Sequence, residues 1–163
     1  MDGTIHDVGR WDLIVGHPPC TYLSNAGAIR LFQNVKDGDF QMVNVPRLKK
    51  GILGRDLLMA ILNANCDKVV VENPVPSGIF CLPKYTQIIH PYQFGEPYKK
   101  QTCLWIKGLP LLQPTEVVEP TGYWIGAHGH DKAKKGMSKG FRDSKTRSKT
   151  VQGIAKAMAE QWG

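Results

Sequence analysis

A chain of 163 residues, 42% of them hydrophobic, can bury roughly two-thirds of its unfolded surface around a single core, which excludes wholesale disorder. No apolar run approaches the ~20 residues that span a bilayer, and Met1 to Asp7 lacks the basic start and apolar middle of a secretion signal. The net charge of +7 favours a polyanionic partner without naming one.

In chain order, Trp11 to Gly16 is an apolar run with little alternation, the pattern of a strand buried on both faces. After Pro18-Pro19, the stretch from Ser24 to Phe32 reads as a short helix with Ser24 as its cap. Asn34 to Val45 is polar and contains glycine, so a loop able to cover a site is expected. Pro46 suits a first helical turn. From there Leu48, Ile52, Leu53, Leu57, Leu58, Ile61 and Leu62 give a wide apolar stripe ending near Asn65. Lys68 to Val71 is a second strand, parallel to the first across a right-handed β-α-β crossover. A final helix runs from Thr150 to Trp162, apolar at Val151, Ile154, Ala155 and Met158.

The charge excess concentrates between Lys132 and Lys149. Lys132, Lys134, Lys135, Lys139, Arg142, Lys145, Arg147 and Lys149 stand against Asp131 and Asp143. Within a Gly/Ser/Lys loop over residues 126–149, these cations suit the phosphate backbone of a nucleic acid, or equally a solvated loop. Phe141 is the one aromatic there, so base stacking is not its role. His128 and His130 flank Gly129, but two ligands without a third make no metal site, and none is expected. Cys20, Cys66, Cys81 and Cys103 show no Cys-x-x-Cys spacing, so reduced thiols and a cytoplasmic location are expected.

Two apolar runs end at chemistry. The first closes on Gly16-His-Pro-Pro-Cys-Thr-Tyr-Leu-Ser-Asn-Ala-Gly27, the second on Glu72-Asn73-Pro74. Parallel strands ending at a cysteine and a carboxylate suggest a site at the carboxyl edge of a sheet, where open α/β sheets bind ligands. The first segment resembles, without a gap, the Gly-Gly-Pro-Pro-Cys-Gln-Gly-Phe-Ser-x-Ala-Gly element of cytosine-5 DNA methyltransferases. Glu72-Asn73-Pro74 resembles their Glu-Asn-Val, Gly95 to Ile106 their Gly-Val-Pro-Gln-x-Arg-x-Arg-Val-Phe strand entry, and His6-Asp7-Val8 their Gly-Asp-Ile. From Trp11 to Gly163 the chain is more closely similar to methyltransferase-like proteins common in phages and prophages. That resemblance is carried by His17 to Ser24, Glu72 to Pro74, Pro91 to Gly95, Thr102 to Trp105 and Gly153 to Ala159.

The resemblance implies one α/β domain over residues 1–163. Its sheet would be a truncated Rossmann-like methyltransferase sheet, with parallel strands, an antiparallel edge hairpin and flanking helices. Gln93–Phe94 and Thr102–Ile106 would form that hairpin around the loop 95–101. It further implies S-adenosylmethionine as methyl donor, touched by Asp7 and Pro18. The Phe-x-Gly-x-Gly loop that holds the donor in the family has no counterpart here.

The implied chemistry needs these residue types. Carbon 5 of cytosine is a poor nucleophile until a thiolate adds to carbon 6, and Cys20 holds the nucleophile position. An acid at ring nitrogen 3, here Glu72, supplies a proton as the thiolate adds. The base must first be flipped out of the duplex. Substrate contacts would come from Pro18, Pro19, Ser24, Asn73, Pro74, Lys100 and Thr102. Taken alone, Cys20 also reads as a small apolar residue packed under a turn, and Glu72 as a capping or salt-bridging carboxylate. His17 replaces a family glycine and reads either as a phosphate or base contact or as a turn residue. Thr21 replaces glutamine. Tyr98, Lys100 and Thr102 replace glutamine, arginine and the arginine that grips the target base. Lys100 keeps a charge without the planar fork.

Without preceding strands, Leu13 to Val15 would present an open apolar edge, expected to be covered by self-association, rearrangement or a partner chain. The leading expectation is a DNA (cytosine-5-)methyltransferase-like protein, in the host cytoplasm if phage-encoded, whose activity as an isolated chain is left open. The alternatives are a non-catalytic nucleic-acid-binding protein and a phage-encoded regulator or inhibitor built on the same fold.

Overall fold

The computed structural model describes residues 9–34, 41–123 and 151–163. Its centre is strand β4 (Val69–Pro74), where the apolar run Val69-Val70-Val71 is fully buried. A strand covered on both faces has no use for alternation, which is why three valines in a row stand here. Strand β1 (Ile14–Gly16) lies parallel to β4, with Ile14 opposite Val69 and Gly16 opposite Val71. On the other side β7 (Thr102–Lys107) runs antiparallel, with Glu72 opposite Leu104 and Pro74 opposite Thr102. Strand β5 (Gln87–Ile89) pairs antiparallel with β7 and completes a four-stranded mixed sheet in the order β1-β4-β7-β5.

Helices cover both faces. Helix α2 (Val45–Leu62) lies on one, in a core of Leu23, Leu58, Val69, Val71, Phe80, Cys103 and Trp105. Helix α3 (Gln152–Trp162) lies on the other, where Ile154, Ala157, Met158 and Trp162 meet Val70, Ile89, Phe94, Leu104 and Leu112. The indole nitrogens buried in these cores are both satisfied, Trp105 Nε1 donating to Pro83 O at 2.8 Å and Trp162 Nε1 to Pro110 O at 3.1 Å. Gly153 brings α3 against the loop after β5. A Cβ there would collide with the carbonyl oxygen of Phe94.

Several expectations are corrected. The stretch from Ser24 to Phe32 is helical only over α1 (Asn25–Ala28). Phe32 instead begins β2 (Phe32–Asn34), which pairs antiparallel with β3 (Gln41–Val43), so the expected loop is flanked by a small ladder. Strand β4 extends through Pro74, placing Glu72 inside it rather than after it. Gln93 and Phe94 are not a strand. Pro91 fixes a 3-10 turn over Pro91–Gln93, and the sheet's edge falls to Gln87–Ile89. A further pair, β6 (Tyr98–Lys99) and β8 (Gly122–Tyr123), runs parallel outside the main sheet.

The face of α2 also differs from the apolar stripe. Ile52, Leu53 and Leu57 are exposed, and the residues buried are Gly51, Gly54 and Leu58. The two glycines cut a notch that side chains from elsewhere fill. The Phe80 ring occupies the space a Cβ on Gly51 would need. Close approach of the helix to the sheet wins over burial of its own leucines.

Strand β1 is an edge of the described sheet. Leu13 and Ile14 pack partly buried against the two cores, while Trp11 is 53% exposed and Val15 42%, so the expected full burial on both faces does not hold there.

Candidate functional site

The register Gly16↔Val71 brings the next residue of each strand side by side. There His17 Nδ1 lies 3.1 Å from Glu72 Oε2. One residue on, Asn73 is fully buried, and its Nδ2 donates to Pro18 O at 3.0 Å. The loop after β1 is therefore fastened to β4 by alternate side chains of the same strand, one on each face of the sheet.

The stitching continues. Leu23 N–H and Ser24 N–H both donate to Cys20 O, which closes the turn around the cysteine. Asn25 N–H donates to Val75 O and Ser77 N–H to Leu23 O, tying the turn to the segment after β4. Leu23 is fully buried beneath, and Ser24 Oγ accepts from Gly27 N–H as the cap of α1. From α2, Arg47 Nη2 donates to Thr21 O at 3.1 Å and to Gly27 O at 3.0 Å. A cation thus holds the loop directly after the thiol. Cys20 itself is exposed, so it is not a small residue packed beneath a turn.

The remaining expected site residues fall as follows. Pro18 is buried and Pro19 exposed. Pro74 pairs with Thr102, which is 2% exposed. Thr102 Oγ1 and Asn73 Oδ1 are buried without a hydrogen-bond partner among the described residues. Glu72 and Thr102 share the face of the sheet that carries Leu104, on diagonal neighbours of the β4–β7 pair. Lys100 lies half-buried in the connection from β6 to β7. Asp7 and the cations Lys132, Lys134, Lys135, Lys139, Arg142, Lys145, Arg147 and Lys149 lie outside the described residues, as do His128 and His130. Among the described residues no group of three or more His, Cys, Asp or Glu side chains could hold a metal ion.

No protein-family model, curated protein or solved structure matches the chain.

A second thiol lies near the acid. Cys103 sits opposite Asn73 on β7 and is fully buried. Burial, and then the neighbouring Glu72 carboxylate, push its pKa from 9.0 up to about 11. It stays a neutral thiol at any ordinary pH and is no nucleophile. Sequence reasoning missed this neighbour because register across strands cannot be read from spacing. Because the folded pKa is raised, the stability this thiol carries is complete below about pH 9 and is lost as pH rises to about 11. At pH 8 an aromatic disulfide reagent is expected to titrate the two exposed thiols, Cys20 and Cys81, in the native protein and all four after denaturation. Native reaction of Cys103 would contradict its placement.

The methyl donor fits poorly. In the family that the sequence resembles, a glycine-rich loop after a strand holds it. Among the described residues β1 has no strand on its outer side, and no such loop follows a strand. No step below is routed through the donor.

Proposed function

We propose that this chain carries the cytosine-site half of a DNA (cytosine-5-)methyltransferase-like protein, on the corresponding part of a Rossmann-like sheet. Cys20 is the nucleophile and Glu72 the proton donor. The observation that supports this is the parallel register of β1 and β4, which sets an exposed thiol loop and a half-buried carboxylate at the same carboxyl edge.

The step this half performs needs no donor. The Cys20 thiolate forms a bond to carbon 6 as Glu72 protonates nitrogen 3, and the ring becomes an enamine. Carbon 5 then takes a hydron from solvent. Loss of the original carbon-5 proton to water, return of the nitrogen-3 proton to Glu72 and cleavage of the S–C6 bond restore the ring. In heavy water the net result is exchange of the carbon-5 hydrogen for deuterium. The test is incubation of cytosine-containing DNA with the protein in heavy water, followed by digestion and mass analysis of the deoxycytidine. Absence of protein-dependent exchange in both single-stranded and duplex DNA would sink the reading.

One observation favours a second reading, a non-catalytic nucleic-acid-binding or regulatory protein on the same fold. Thr102, buried and uncharged, stands where the family places the arginine that grips the base. DNA binding without exchange is its expected signature.

The open β1 edge adds a partner to the proposal. Trp11 and Val15 present apolar surface on the strand that is the edge of the sheet among the described residues, which a second copy or another chain would cover. Sedimentation of the pure protein at tens of micromolar is expected to show self-association. A monomer that also fails to gain a partner from its native host argues against a covered edge.

A further inference from the structure

Helix α2 carries its charge at the wrong end. Asn44 caps it, accepting from Arg47 N–H, and no acid lies in its first turn. Arg47 stands in the first turn and Lys49 and Lys50 in the second, while the last turn has no basic residue. The N-terminus of a helix is already positive, so a cation in its first turn is unfavourable and one in the second gains nothing from the helix dipole. Among the described residues none of the three has an ion-pair partner.

The cations also converge on one ring. Arg47 Cζ lies 4.9 Å and Lys50 Nζ 5.6 Å from the centroid of Tyr22. Two like charges are thus held within roughly 10 Å, about one Debye length at 0.1 M salt. Arg47 spends Nε and Nη2 on Gly27 O and Thr21 O, and its Nη1 has no hydrogen-bond partner among the described residues. The cluster therefore stands directly beside the Cys20 turn. Arg47 is offset by its carbonyl bonds and the Tyr22 ring, whereas Lys49 and Lys50 have no carboxylate partner among the described residues, and a local rule broken in this way marks a functional surface.

We infer that Arg47, Lys49, Lys50 and Tyr22 form a contact for the phosphate backbone of DNA next to the Cys20 loop. This rests on the proposed function and places the strand that presents the target base. Tyr22 positions the cations, and the Arg47 guanidinium couples phosphate contact to the loop that carries the thiol. The residues lie outside the basic stretch from Lys132 to Lys149 in the sequence.

The test is fluorescence-anisotropy titration of a labelled DNA oligonucleotide with the full chain over a series of salt concentrations. The Lys49→Gln/Lys50→Gln variant is compared with wild type and with Lys68→Gln, an exposed cation at the opposite end of β4. Each lost phosphate contact lowers the slope of log K against log salt by about 1. The double variant is expected to lose about 2 from the slope and about tenfold in affinity at 0.15 M salt, with an unchanged melting midpoint. Lys68→Gln is expected to match wild type. If wild type binds DNA and the double variant keeps its slope, the inference is overturned while the cytosine-site proposal stands. If wild type fails to bind DNA even at low salt, both fall. If the double variant loses slope but no heavy-water exchange occurs, the phosphate contact holds and the catalytic reading fails.

Discussion

Cys20→Ser is expected to reduce deuterium exchange at cytosine carbon 5 to the level without protein, a loss of at least about 10³-fold. The exchange cycle requires a nucleophile that adds to carbon 6 and leaves again. A serine hydroxyl at its ordinary pKa is too weak to add without a dedicated base, whereas even a partly ionised thiol is strongly nucleophilic. The substitution removes no packing, because Cys20 is exposed and the turn is closed by its backbone carbonyl and anchored by Leu23. The melting midpoint and DNA affinity should therefore stay at wild-type values. The other thiols serve as internal controls. Cys103→Ser replaces a neutral, buried thiol on the neighbouring strand, so its exchange rate should change far less than that of Cys20→Ser. If Cys20→Ser exchanges at the wild-type rate, the nucleophile assignment is wrong.

What the sequence made legible follows from how local the cause is. The parallel pairing of β1 and β4 was readable because Val69-Val70-Val71 has no alternation, and a long helix separates it from the first apolar run. The Pro-Pro turn and the carboxylate at the edge followed from where those runs stop. The errors arose where a distant residue decides. The apolar stripe of α2 misleads because Phe80 and Leu23, from other segments, fill the notch at Gly51 and Gly54 and turn the helix. Phe32 leaves α1 because strand partners at Gln41–Val43 claim it. Pro91 displaces the edge strand by a few residues. The cations of α2 went unnoticed because four of them, Arg47, Lys49, Lys50 and Arg55, are diluted by a hydrophobic helix, while the denser run beyond Lys132 stands out. Their meaning appears only when Tyr22 and the Cys20 loop are set beside them.

The second large effect concerns Glu72. Glu72→Gln is expected to slow carbon-5 exchange by about 10²-fold or more, the range typical of a lost general acid. The amide can still donate a hydrogen bond to nitrogen 3 but cannot transfer a proton, so base binding should persist while turnover falls. His17 makes this acid unlike its counterparts in the family the sequence resembles. Its ring stands 3.1 Å from Glu72 Oε2, and the side chains are 44% and 19% exposed. That contact occupies one carboxylate oxygen and so fixes which oxygen faces the ring. His17→Gly, which installs the glycine of the family the sequence resembles, removes that contact. The expected result is a loss of about tenfold or less, since the pair is partly solvated. In Glu72→Gln the same His17→Gly change should have little further effect, because there is no acid left to orient. A double-mutant cycle on exchange rates measures this coupling. Full additivity of the two substitutions would show that the contact between His17 and Glu72 plays no part in proton transfer.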